Sequence, residues 1–285
     1  MRLDAAIATA VERLAHSSDS ARLDAEILLC RTIDMPRSYL FAHPDDELDD
    51  LSRDRFEALL ERRETGEPMA YIMGTREFWT HELHVSPATL VPRPETELLV
   101  DLALREIPRE ADWRILDLGT GSGAIAIAIA GERLLCELTA TDTSPEALKV
   151  AIENARLANL PNITFVEGRW TAPVQGQLFD LIVSNPPYVR DDDEALADLS
   201  HEPLSALASG PDGLNDIREL AAGCAEILAE GGWLMLEHGF DQQQAVAGLL
   251  AAEGWTEISC HNDLAGLPRV TVARRGGKQA RTTKT

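Results

Sequence analysis

Along the first 75 residues the apolar positions recur at helical spacing. Leu3, Ile7, Ala10, Val11 and Leu14 share one face, as residues three and four apart do on a helix. A second set, Leu23, Ile27, Leu28 and Leu29, follows Asp19 and Ser20, either of which could cap it, and stops before Pro36. The acidic run His43–Asp50 leads into a third set, Leu51, Phe56, Leu59 and Leu60, which ends near Gly66 and Pro68. The pattern predicts a small helical domain over residues 1–75. The rhythm then changes: between 69 and 91, Tyr71, Ile72, Phe78, Trp79, Leu83, Val85 and Leu90 alternate with polar residues. That alternation reads as a β-hairpin, with the connector itself placed at 76–91.

Beyond Val91 short apolar runs alternate with helical periods. Ile115–Leu118, Leu138–Thr141, Ile163–Val166, Phe179–Ser184 and Trp233–Leu236 read as strands, with two more near Ile258 and Val270–Val272. Between them lie the apolar run Ala124–Ala130, a helix opened by Ser144 and Pro145, a helix at Ile217–Leu228 that precedes Gly231 and Gly232, and one near Ala245–Leu250. Strands alternating with helices predict an α/β fold with a mostly parallel, doubly wound sheet over residues 92–274. Residues 275–285 are basic and nearly free of apolar side chains, as in a disordered tail.

Composition narrows the partners. The chain has 285 residues, 45% of them hydrophobic, and 48 acidic against 26 basic side chains, a net charge of -22. Such an acidic surface disfavours binding to a phosphate backbone and suits a basic protein partner. Cys30, Cys136, Cys224 and Cys260 are far apart, which predicts reduced thiols in a cytoplasmic protein, and no metal cluster is read from the spacing. His81 and His84, the only close histidine pair, read as a loop surface. No stretch is long and apolar enough for a membrane span, and the N-terminus lacks a signal-peptide pattern.

Two stretches carry chemistry. The first is DLIVSNPPY, Asp180–Tyr188: a buried strand stopped by Pro186 and Pro187, which lack the N–H that a ladder needs. Ligands of open α/β sheets bind at that end of a strand. Asn185 offers a side-chain carbonyl and Pro186 a backbone carbonyl, two acceptors that can hold a planar NH2 group, while Tyr188 can pack over the group that carries it. Asn-Pro and Pro-Pro also punctuate ordinary turns.

The second stretch is DLGTGSGA, a strand, a glycine loop (Gly119, Thr120, Gly121, Ser122, Gly123) and the start of a helix. Glycines admit a ligand close to the backbone, and a helix start presents free N–H groups. Asp142, ending the next strand, can accept from two ribose hydroxyls. Gly119, Gly121 and Ala124 also satisfy the GxGxxG/A fingerprint, so this loop alone does not exclude NAD. The combination favours S-adenosylmethionine: glycine loop, acid and NPPY fall at the ends of the first, second and fourth strands of the α/β region, and no proton relay for a nicotinamide enzyme is evident.

At this point the chain resembles the release factor glutamine methyltransferases (PrmC, also called HemK). The resemblance runs from about Leu60 to Ala273, through EPMAYIMGTREFW, VPRPETELLV, ILDLGTGSGAIAIAIA, the 142–158 segment, IVSNPPY, LEHGFDQQQAV and NDLAGLPRV. It implies an N-terminal helical docking domain joined by a hairpin to a Rossmann-like catalytic domain. The implied activity is methylation, by S-adenosylmethionine with S-adenosylhomocysteine as product, of N5 of the glutamine in the GGQ motif of peptide chain release factors. By position, Gly119–Gly123 would surround the methionine moiety, Asp142 the ribose and Trp170 the adenine. Asn185, Pro186, Pro187 and Tyr188 would hold the glutamine, with Asn185 also near the cofactor. Members usually carry an aspartate just before the tryptophan; here Arg169 stands there, so adenine recognition is expected to rest on backbone groups and Trp170. The alternatives are an adenine-N6 methyltransferase acting on nucleic acid, which shares NPPY but needs a basic groove, and a non-catalytic S-adenosylmethionine-binding module.

Overall fold

The structure, a computed structural model, describes residues 1–276. It divides into two compact units, Met1–Thr75 and the chain from Arg76 onward. The first unit holds α1 (Leu3–Leu14), α2 (Ala21–Ile33), α3 (Arg37–Ala42), α4 (Asp50–Glu64) and α5 (Met69–Met73). Leu3, Ala10, Leu14, Leu28, Leu29, Phe56 and Leu60 close its core. The Asp49 side chain caps α4 by accepting from the Ser52 N–H at 2.7 Å, which satisfies one of the donors that a helix start leaves open. Ser20 occupies the cap position of α2 but makes no cap bond; its hydroxyl donates to Asp24 Oδ1 instead.

The hairpin is shorter than the alternation suggested. Tyr71 and Ile72 lie in α5, a turn of helix between Pro68 and Gly74, and Gly74 closes it with φ 81°. The pairing strands are β1 (Thr75–Phe78) and β2 (His81–His84), so the two histidines stand on a strand rather than a loop.

The second unit continues through α6 (Glu97–Glu106), β3 (Arg114–Leu118), α7 (Ala124–Glu132), β4 (Glu137–Asp142), α8 (Pro145–Leu157), β5 (Ile163–Glu167), β6 (Phe179–Ser184), α9 (Ala195–Asp198), α10 (Asn215–Ile227), β7 (Leu228–Glu237), α11 (Gln243–Ala252), β8 (Trp255–Asn262) and β9 (Pro268–Arg275). Seven strands form one sheet in the order β5-β4-β3-β6-β7-β9-β8. Only β9 runs against its neighbours, pairing antiparallel with both β7 and β8. Successive side chains of a strand point to opposite faces, and the burial follows. Ile115, Leu181, Val183 and Met235 join one core with α6 and α7. Leu116, Leu118, Ile182, Leu234 and Leu236 join another with α10 and α11. A strand buried on both faces has no polar side to show, which is why these runs are continuously apolar.

The strand read at Trp233–Leu236 is longer, Leu228–Glu237, and takes in Gly231 and Gly232. They lie inside β7, where the register with β6 shifts and Phe179 pairs Leu228 while Leu181 pairs Trp233. The expected basic tail begins too early: Arg275 is the last residue of β9, and the rest of that segment, residues 277–285, lies outside the described residues. Among the described residues all four cysteines are free thiols, and no helix is long and apolar enough to cross a membrane.

Candidate active site

The strand order reverses at β3, with β4 on one side and β6 on the other. Carboxyl ends diverge there and leave a crevice. A cavity of about 430 Å³ opens at this place. Its wall includes Gly119, Thr120, Gly121 and Ser122 after β3, Asp142 at the end of β4, Trp170 after β5, and Asn185 and Pro187 after β6. Four separate segments of the sequence thus meet on one surface. Gly123, Pro186 and Tyr188 adjoin these residues along the chain without being part of the lining.

The glycine loop works differently from a phosphate cradle. Gly119 and Thr120 both donate their N–H to the Thr141 carbonyl at 2.9 Å, and the Gly123 N–H bonds the Thr120 carbonyl. The Gly121 N–H donates to Asp142 Oδ2 at 2.9 Å. These four donors are satisfied within the protein. Gly119 has φ 74°, and a Cβ there would lie 3.1 Å from the Trp170 ring. Gly123 has a packing reason: a Cβ would meet Ile127 and Ala151, holding α7 off α8.

Asp117 ends inside the protein. Thr120 donates to its Oδ2 at 2.6 Å, and the Ala126 N–H at the start of α7 also bonds its carboxyl. Burial nevertheless pushes its pKa up to about 7, with Asp142 adding to the rise. Asp142 is held by the Gly121 N–H and by the Ser144 N–H at 2.9 Å. Each of its oxygens keeps a further lone pair for a ligand hydroxyl.

Trp170 is buried with φ 46°, a left-handed backbone that turns its ring under the glycine loop. Its Nε1 donates to Asp216 Oδ1 at 3.2 Å. The guanidinium of Arg169 lies 5.6 Å from the ring centroid and pairs with Asp216 at 2.9 Å and Glu219 at 2.6 Å. Arg169 is thereby drawn to α10. Asp216 lines the cavity, although nothing in the spacing of the chain links it to Trp170.

Asn185 donates Nδ2 to the Thr96 hydroxyl at 3.2 Å, which leaves Oδ1 as its acceptor. The Tyr188 hydroxyl donates to Glu237 Oε1 at 3.3 Å. Burial, with the nearby Glu237 charge, pushes the Tyr188 pKa up. Glu237 is itself almost wholly buried, which raises its pKa to about 7. Thr96, Asp216 and Glu237 were not singled out as site residues from the sequence. Thr96 and Glu237 lie in VPRPETELLV and LEHGFDQQQAV, so the motifs pointed to the segments and not to the side chains.

Residues 5–74 match the PrmC N-terminal domain family and residues 95–210 the methyltransferase small domain family. A release factor glutamine methyltransferase of Coxiella burnetii is 45% identical over 265 residues, 93% of this chain and 96% of the relative. One of Xylella fastidiosa is 47% identical over 275 residues, 96% and 98% of the two chains. The chain belongs to the release factor glutamine methyltransferase family. A methyltransferase of Pyrococcus furiosus has the same fold, with a TM-score of 0.53 at 18% identity over 68% of this chain and 89% of that one. Set within the family, the α/β sheet and the helical N-terminal region are those of a methyltransferase carrying the PrmC N-terminal domain.

Proposed function

We propose that this member uses S-adenosylmethionine to methylate N5 of the glutamine in the GGQ motif of peptide chain release factors, in the cytoplasm. The observation that carries the reading is Asn185. Its carboxamide has its nitrogen engaged by Thr96 and lines the same cavity as the glycine loop, Asp142 and Trp170. S-adenosylmethionine supplies an activated methyl group and becomes S-adenosylhomocysteine.

The residues present fit that cofactor. Gly119–Gly123 would enclose the methionine moiety, Asp142 would accept from the ribose hydroxyls, and Trp170 would pack the adenine. An amide nitrogen is a poor nucleophile because its lone pair is delocalised. Asn185 Oδ1 and the Pro186 carbonyl would accept from its two N–H groups, orienting it and stabilising the positive charge that grows on it. Pro187 and Tyr188 would confine the carboxamide. The proton can leave to water. Residues 1–75 would dock the release factor.

The test is mass spectrometry of a GGQ-containing release factor incubated with the protein and S-adenosylmethionine, with adenine-containing DNA in parallel. One methyl on that glutamine is expected; methylated adenine instead would overturn the substrate. Asn185→Ala, folded by its melting curve, should lose about 10²-fold or more in kcat, the size of losing one preorganised polar group.

A further inference from the structure

The position before Trp170, where the resemblance implies an aspartate, holds Arg169. A guanidinium has no acceptor to offer. The fold brings a carboxylate to the same corner from elsewhere. Asp216 stands in the first turn of α10, 46 residues along the chain from Trp170. It lines the cavity together with Gly168, Arg169, Trp170, Ser209 and Gly210.

The carboxylate is fixed in orientation. Its Oδ1 accepts from Trp170 Nε1 at 3.2 Å and from Arg169 Nη2 at 2.9 Å. Its Oδ2 accepts from the Ser209 hydroxyl at 2.7 Å. The Ser209 oxygen in turn accepts from the Asp216 N–H at 2.9 Å, so the residue is gripped at both ends. An ionised carboxylate offers about four acceptor directions. Three are taken by these side chains, and the one left over belongs to Oδ2. Charge favours a donor there. Arg169 is shared between Asp216 and Glu219, the latter at 2.6 Å, so one cation faces two acids and the group keeps a negative charge.

Building on the reading of this cavity as the S-adenosylmethionine site with Trp170 packing the base, we propose that Asp216 selects the base by accepting, through Oδ2, from the 6-amino group of adenine. The acceptor absent from position 169 comes from α10. One carboxylate then serves two ends: Oδ1 holds the Trp170 ring in place, and Oδ2 reads the edge of the base that packs on that ring. A base with a carbonyl at C6 would turn an acceptor toward an acceptor, which leaves both unpaired in a site from which water is excluded.

The test is calorimetry on the full-length protein with three ligands: S-adenosylhomocysteine, its deamino analogue with a purine base, and its 6-oxo analogue with a hypoxanthine base. The wild-type protein should bind the adenine form about tenfold or more tighter than the deamino form, the size of losing a hydrogen bond to a charged group. Asp216→Asn separates recognition from packing. Trp170 and Arg169 both donate to Oδ1, so asparagine keeps its oxygen there and places its NH2 on the Ser209 side, a donor where the wild type has an acceptor. Its preference for adenine over the deamino form should fall below about twofold, and the 6-oxo form should gain about tenfold relative to adenine. A merely structural role would shift all three Kd values together and leave their ratios unchanged. Equal binding of the adenine and deamino forms by the wild type, or wild-type ratios in a folded Asp216→Asn, would overturn the proposal. Should Asp216→Asn not fold, the wild-type comparison decides. An unchanged Kd for S-adenosylhomocysteine in Trp170→Ala would instead remove the reading of this corner as the adenine site, whatever Asp216 does.

Discussion

Gly119→Ala isolates what the glycine loop is for. The residue has φ 74°, a left-handed backbone that costs an L side chain about 1–2 kcal/mol. The new methyl would also lie 3.1 Å from Trp170 Cζ3 and 3.5 Å from Cη2. That ring cannot swing away freely, since its Nε1 is bonded to Asp216 and Arg169 lies over its face. Forcing a methyl into a packed site adds about 1 kcal/mol or more, so the total is about 2–3 kcal/mol. Because the ring would move at the cavity wall, cofactor affinity should fall about tenfold, or 1.4 kcal/mol. Gly121→Ala is the control for stability: φ is 57° and nothing in the protein lies within 4 Å of its Cβ, so folding carries the backbone cost alone. Calorimetry gives Kd, and melting curves give stability at about 2–4 °C per kcal/mol for a domain of this size. Equal Kd and equal melting temperatures in the two variants would refute the Trp170 argument.

Arg169→Ala should leave cofactor Kd within about threefold and stability within about 1 kcal/mol, because the arginine side chain is 56% exposed and its ion pairs are screened; a large loss of affinity would show that Arg169 itself contacts the cofactor. Glu237 has a folded pKa raised from 4.5 to about 7, so its contribution to stability is present below the unfolded value and is lost as pH rises through 7. Wild-type melting temperature should therefore fall from about pH 6 to 8 relative to Glu237→Gln; parallel curves would refute the burial argument. Asp117, raised to about 7 in the same way, contributes a fall of the same sign to both proteins and cancels in that comparison.

Much of the site was legible because its parts are local. Gly119–Gly123 sit in a strand–turn–helix whose composition announces it, and the prolines after Asn185 must end a strand wherever it packs. Arg169 is instructive in another way. The sequence showed an acidic position filled by a cation, but not that α10 would bring Glu219 and Asp216 to that cation and place Asp216 on the cavity wall.

Local rules also failed where a neighbour decided the outcome. The strand read from Trp233 begins at Leu228 instead and takes in Gly231 and Gly232, because β6 offers a ladder beside them. Tyr71 and Ile72 fit an alternating strand, yet Pro68 and Gly74 bound them into a helical turn.

By itself the sequence determined the alternation of strands and helices, the glycine loop after β3 and the proline stop after Asn185, since each depends on backbone preferences and apolar periods within a few residues. Only the tertiary structure decided that Asn185 meets Thr96 and that Tyr188 meets Glu237. They come from a turn before α6, the end of β6 and the end of β7, and the parallel register of β6 against β7 makes them neighbours. A hydrogen bond requires atoms within about 3 Å, and no spacing along a chain encodes that when 49 residues separate Tyr188 from Glu237.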